Sequence, residues 1–168
     1  MKKYQNKYRI PSTRHPNWDY GSNAYYFVTI CTDDKTHYFG GVQDHKMKFS
    51  SIGKIANDCW LAIPEHFPFV ILHNYVVMPN HVHGIIQIDK SDDVMEGANK
   101  FGPQSENLAS IIRGFKIGVT KNARIIYPQF KWQARFYDHI IRDKRAFVKI
   151  SEYIVNNPIK WGIDPFNG

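Results

Sequence analysis

At 168 residues, with 43 % hydrophobic and 15 % aromatic side chains, the chain can bury one packed core and is too apolar for an intrinsically disordered polymer. Its 22 Lys and Arg against 15 Asp and Glu leave a formal charge of +7 and a pI near 9.4, which favours a polyanionic partner, nucleic acid before a membrane surface. Cys31 and Cys59 form no CxxC pair, the N-terminus has no apolar leader and no run of about 18 apolar residues occurs, which argues against a disulfide framework, a cysteine zinc site, secretion and membrane spanning, and for a cytoplasmic protein with free thiols.

Residues 1–18 carry Lys2, Lys3, Lys7, Arg9 and Arg14 interleaved with Tyr4, Tyr8, His15 and Trp18, with no acid before Asp19. They are expected to form a basic arm, suited to phosphate contact and base stacking or simply solvated, ahead of a single domain over 19–168. Ala24 to Thr32 is β-branched and aromatic without a breaker and predicts a strand; His37 to Phe39, followed by Gly40-Gly41, predicts a second strand and a hairpin. From Ser51 to Ile63 the apolar positions Ile52, Ile55, Ala56, Cys59, Trp60 and Ile63 recur at three- and four-residue spacing, an amphipathic helix with Ser50 or Ser51 as N-cap and Pro64 or Pro68 beyond its end.

Phe69 to Met78 reads as a buried strand, Pro79-Asn80 turns the chain, and His81 to Asp89 resumes extended structure, so the two form an antiparallel pair. Lys90 to Asn107 is a long polar loop. Ser105-x-x-Leu108 opens a second helix with an apolar face of Leu108, Ile111, Ile112, Phe115, Val119 and Ala123; its other face carries Arg113, Lys116, Thr120, Lys121 and Arg124, either a solvated surface or a phosphate track. Trp132 to Arg142 is a further strand candidate, and Asp143 caps a last helix that runs through Ala146 to Asn156 before Pro158 and Gly162. Antiparallel strands with two helices gathered on one face define an α+β sandwich with a ferredoxin-like sheet, in which the strand beginning at His81 is central.

Within that strand His81 and His83 point to the same face, their side-chain bases about 5–7 Å apart, while Val82 enters the opposite, core-facing layer. Two neutral imidazoles so placed can share a metal ion, although paired strand histidines also serve as ordinary hydrogen-bonded groups. Tyr153 and Asn157 lie one turn apart on one face of the last helix, a spacing equally compatible with packing. His15, His37, His45, His66 and His73 have no partner at short spacing, and His139 is a minor candidate in the last strand.

The stretches VVMPNHVHGIIQI, IIRGFK, WQARFYDHIIRD and EYIVNNPIKWG, in this order, resemble the single-tyrosine HUH transposases, most closely the bacterial REP-associated tyrosine transposases, over roughly residues 24–163. The resemblance implies a metal-dependent enzyme that cleaves and rejoins single-stranded DNA, with Tyr153 as nucleophile and 5′-phosphotyrosine as the intermediate. It further implies that His81, His83 and Asn157 hold Mg2+ or Mn2+, Asn157 standing where many insertion-sequence relatives have Gln. The implied partner is hairpin-bearing single-stranded DNA; the candidates to hold it, from charge and spacing, are Arg113, Lys116, Lys121 and Arg124 and Lys7, Arg9 and Arg14 of the arm. Monomer and homodimer both remain open.

Such chemistry suits these residue types. Two imidazoles and a carboxamide leave coordination positions for phosphate oxygens, and the tyrosine ester conserves bond energy for rejoining without ATP, consistent with the absence of a P-loop motif. Imidazole favours zinc, nickel or copper by affinity, whereas phosphodiester chemistry favours magnesium or manganese. Two other readings compete: a non-catalytic nucleic-acid-binding protein of the same fold, and a metallohydrolase whose nucleophile is water.

Overall fold

A computed structural model of the chain describes residues 15–91 and 106–167, together with the backbone of two short paired strands, Lys3–Tyr4 (β1) and Lys7–Tyr8 (β2). Arg9, Arg14, Ser105 and the Lys7 side chain lie outside the described residues, as does most of the 90–107 loop. The elements that follow are β3 (Ala24–Cys31), β4 (Gly40–Gln43), β5 (Lys46–Phe49), α1 (Ser51–Leu61), α2 (Ile63–His66), β6 (Val70–Met78), β7 (His81–Ile88), α3 (Leu108–Ile126), β8 (Tyr137–Ile141) and α4 (Lys144–Val155).

Four strands form one antiparallel sheet in the order β6-β7-β3-β8. With α1 between β3 and β6 and α3 between β7 and β8, this is the ferredoxin-like split βαβ arrangement, carrying the β4–β5 hairpin as an insertion. β7 is central, as its uninterrupted apolar run predicts: seven of its eight residues are buried, Gln87 being the exception.

Period-two alternation decides which layer each strand residue enters. Tyr26, Val28 and Ile30 of β3 and Val82, Ile86 and Ile88 of β7 point into the main core, where they meet Ile52, Ala56 and Trp60 of α1 and Ile111, Phe115 and Val119 of α3. Gly84 belongs to this face; a Cβ there would sit 2.2 Å from the Trp60 ring, so glycine lets the indole lie directly on the central strand. The opposite face carries α4, packed through Phe147, Ile150 and Ile154 on Phe27, Ile85 and Ile141. Two helices share one face as expected, and the last helix covers the other.

Each long helix starts on a side-chain cap. Ser50 accepts from the Gly53 amide at 3.0 Å, Asn107 forms a capping box with Ser110, and Asp143 accepts from the Ala146 amide at 2.8 Å. Asn107 thus marks the start of α3, two residues after Ser105.

Two expected elements are redrawn. The second strand begins at Gly40 instead of spanning His37 to Phe39, because Gly40 adopts φ 130° and passes so close to Lys48 that a Cβ would fall 2.0 Å from the Lys48 carbonyl oxygen. Its turn is Asp44-His45, both at positive φ (51° and 61°), the conformation of a two-residue hairpin loop. The last strand is confined to Tyr137–Ile141, since Arg135 at φ 67° interrupts the extended run and Trp132 turns aside, forming one bridge with Thr32 and packing on Phe39, Phe115 and Phe130.

Candidate active site

His81 and His83 open β7 immediately after the Pro79-Asn80 turn, on the face that α4 covers. They are 0 % and 1 % exposed, and their ring centroids lie 4.4 Å apart. A polar partner fixes each ring. Asn80 Nδ2 donates to the carbonyls of Lys35 (3.3 Å) and Phe166 (2.7 Å), which turns its Oδ1 toward His81 Nδ1 at 2.7 Å. An amide oxygen only accepts, so Nδ1 of His81 carries the proton and Nε2 the lone pair. Thr29 Oγ1 lies 2.8 Å from His83 Nδ1 and orients the second ring.

The last helix brings the other two residues. The Tyr153 hydroxyl approaches His83 Nε2 at 3.4 Å, a long contact, and its ring packs edge-on against Phe27. Asn157, 2 % exposed, follows the helix end; its Nδ2 donates to the Tyr153 carbonyl at 3.2 Å, which commits the amide nitrogen and leaves Oδ1 for the site. His81 Nε2 and Asn157 Oδ1 are both buried and make no hydrogen bond. Two unpartnered lone-pair atoms of this kind cost free energy unless a donor or a cation completes them.

Around the imidazoles stand aromatic rings: Phe27 5.4 Å from His83, and Phe166 4.6 Å from His81 and 5.7 Å from His83, with Trp161 6.0 Å from His81. Burial pushes His81 down to about 4, partly countered by the Asn157 side chain, and holds His83 well below the ordinary histidine value, with His81 adding to the effect. Both rings are therefore neutral at pH 7, the form that binds metals. Burial raises the Tyr153 phenol; the Asn157 side chain opposes this and Asp164 reinforces it.

Among the described residues no group of three or more His, Cys, Asp or Glu side chains could hold a metal. Two imidazoles plus a carboxamide oxygen fall outside that set, and their orphaned atoms, His81 Nε2 and Asn157 Oδ1, fit a divalent ion.

The basic residues divide differently. Arg113, Lys116, Lys121 and Arg124 sit on α3, on the far side of the sheet from the histidines, so the fold does not bring them to the site. Arg113 and Lys121 are exposed, whereas Lys116 Nζ donates to the carbonyls of Gln133 (3.0 Å) and Arg135 (2.6 Å), and Arg124 Nε donates to the Phe130 carbonyl. Sequence reasoning missed Asn80 and Thr29. The signal for both was a polar residue in or beside an apolar strand run, where a ligating histidine needs a partner for its second nitrogen. Cys31, the cross-strand neighbour of His81, has a thiol that burial raises to about 11.

No protein-family model matches the chain. It is 40 % identical to an uncharacterized protein of Haemophilus influenzae over 162 residues, covering 91 % of this chain and 90 % of the relative. It is 29 % identical over 146 residues to a second Haemophilus influenzae protein, proposed to be a REP-associated tyrosine transposase, covering 86 % and 75 % of the two chains. The solved structure of a REP-associated tyrosine transposase bound to a REP hairpin superimposes with a TM-score of 0.66 at 19 % identity, covering 91 % of this chain and 75 % of that one. The architecture is thus the α+β fold of a tyrosine transposase. The chain shares that fold with the solved REP-associated tyrosine transposase and is similar in sequence to the second Haemophilus influenzae protein. No helix among the described residues is long and apolar enough to cross a membrane.

Proposed function

We propose that the protein is a metal-dependent transposase that cleaves and rejoins single-stranded DNA through Tyr153. The observation that carries this reading is the convergence of a helix-borne phenol on a buried histidine pair, with His81 Nε2 and Asn157 Oδ1 left unpartnered beside it. Tyr153 Oη attacks the scissile phosphorus in line: the Oη–P bond forms as the P–O3′ bond breaks. The departing 3′ oxygen takes up a proton, and the phenolic proton passes to water, which reaches the ring because Tyr153 is 41 % exposed. Attack by another 3′-hydroxyl reverses the exchange and rejoins the strand. His81, His83 and Asn157 would hold a divalent ion, Mg2+ or Mn2+, which would supply charge neutralisation at the phosphate and at the phenol, whose pKa burial raises further. All four residues come from one chain, so one protomer carries the full set.

The solved relative binds a REP hairpin, which makes a hairpin with a single-stranded flank the first substrate to test. Labelled DNA of this design is incubated with Mn2+ and wild type, Tyr153→Phe or His81→Ala, and cleavage is read on a denaturing gel. Both variants are expected to lose cleavage, by at least about 1,000-fold for the missing nucleophile, while retaining binding. Cleavage that survives Tyr153→Phe but not His81→Ala would identify water as the nucleophile. Wild-type binding without cleavage on any hairpin would indicate a binding module.

A further inference from the structure

On the α4 side of the sheet, the side that carries the histidines, lies a recess of about 370 Å³ lined by Tyr25, His73, Ile141 and Phe147 together with Arg142 and Lys144. Three of these side chains form an aromatic corner, with Tyr25, His73 and Phe147 ring centroids 5.4–5.5 Å from one another. The corner is braced, since His73 Nε2 pairs with Gln87 Oε1 at 2.9 Å, yet Tyr25 remains 37 % exposed. The one acidic residue at the recess, Asp143, has a carboxylate oxygen accepting from the Ala146 amide at the start of α4, while Arg142 and Lys144 are exposed cations. Arg142 lies 5.7 Å over the Trp18 ring, so Lys144 is the cation freer to meet a phosphate. A partly exposed π face beside these two cations and one carboxylate suits an unpaired base and its phosphate, and a duplex offers no free base face to such a corner.

The recess also has a defined place relative to the candidate active site. Tyr25 pairs with Gln87, and Thr29 with His83, so the corner lies four strand residues, roughly 13 Å, along the same face from the imidazoles. Phe147 and Tyr153 are six residues apart on α4, roughly 9 Å along its axis. A strand whose phosphate meets Tyr153 reaches the corner within a few nucleotides. The basic stripe of α3 has no such continuity, because the sheet stands between.

We propose that this recess is a base-binding subsite: one unpaired nucleobase of the single strand packs into the corner of Tyr25 and Phe147, face-on to one ring and edge-on to the other because their planes stand at 80°, and the phosphate beside it is held by Lys144, with Arg142 adjacent. The proposal rests on the single-stranded-DNA reading above and deepens it. It is tested with the full chain and hairpin DNA carrying a single-stranded flank of about ten nucleotides, in which one base at a time is replaced by an abasic site and binding is followed by fluorescence anisotropy. In wild type one flank position is expected to lose about tenfold in affinity when its base is removed. In Phe147→Ala the intact strand is weakened by a similar factor and the abasic penalty at that position disappears. Lys144→Ala, an exposed change, lowers the slope of log affinity against log salt by about 0.7. Binding with no sensitive flank position, or a penalty that persists in Phe147→Ala, would overturn the subsite and leave the functional reading standing. No binding at all would overturn both. Should Phe147→Ala not fold, photocrosslinking of 5-iodouracil strands to wild type decides: adducts on peptides containing Tyr25 or Phe147 support the subsite, and adducts confined elsewhere overturn it.

Discussion

At the scale of the residue, Asn80 does for His81 what burial alone cannot: it selects a tautomer. Its amide nitrogen is spent on two carbonyls, so its oxygen must face Nδ1 and the Nε2 lone pair must face the site. Replacement by alanine frees the ring to turn and to exchange tautomers. Asn80→Ala is therefore expected to weaken Mn2+ binding about 10- to 100-fold, read by calorimetry; unchanged affinity would show that the ring needs no such partner. The same burial links the site to pH. An unfolded histidine titrates near 6.5 and folded His81 near 4, so between these values the unfolded chain takes up a proton that the folded chain refuses. The stability this represents is present above pH 6.5 and is lost as pH falls toward 4, at most about 3 kcal/mol. Melting of the metal-free chain is expected at falling temperature across that window, with a shallower fall in His81→Leu; identical slopes would contradict the assignment.

At the scale of the element, α3 separates two kinds of cation that its helical spacing presents alike. Lys116 reaches two carbonyls of the 131–136 segment and lies 5.9 Å from the Trp132 ring centre, and partial burial lowers its pKa. This lysine holds Trp132 and its neighbours against the end of β3, and the same contacts shorten the final strand. Periodicity could not show this, because it reports which face a residue shares and not what docks on that face. Lys116→Met is expected to cost about 1 kcal/mol of stability, discounted for partial exposure, with little change in the salt dependence of DNA binding. Arg113→Ala and Lys121→Ala should leave stability within about 0.5 kcal/mol. Each should lower the salt slope by about 0.7–0.9 where α3 contacts phosphate, and unchanged slopes in both would remove α3 from the interface.

At the scale of the whole molecule, the sheet order performs the assembly. The ββ pair of β6 and β7 places His81 and His83 at the start of a central strand, and α4, which follows the edge strand β8, lies across the same face, so residues 81 and 83 meet 153 and 157. Much of this was legible from residue patterns: the ferredoxin-like order, the burial of Val82 opposite the histidines, the Asp143 cap and the helix bearing Tyr153. The layer taken by α4 was not. Its own periodicity defines an apolar face without saying which side of the sheet receives it, and only the register of Phe27, Ile85 and Ile141 with Ile154 and Phe147 decides that. Nor could composition reveal the unpartnered atoms, which arise because Asn157 Nδ2 is spent on Tyr153 and Asn80 on His81.

The central claim is that Tyr153 becomes covalently joined to DNA. Wild-type protein incubated with single-stranded hairpin DNA and Mn2+, denatured, digested and analysed by mass spectrometry is expected to yield the Tyr153 peptide carrying a 5′-phosphonucleotide, absent from Tyr153→Phe. An adduct on a different residue, or one that persists in Tyr153→Phe, would contradict the account.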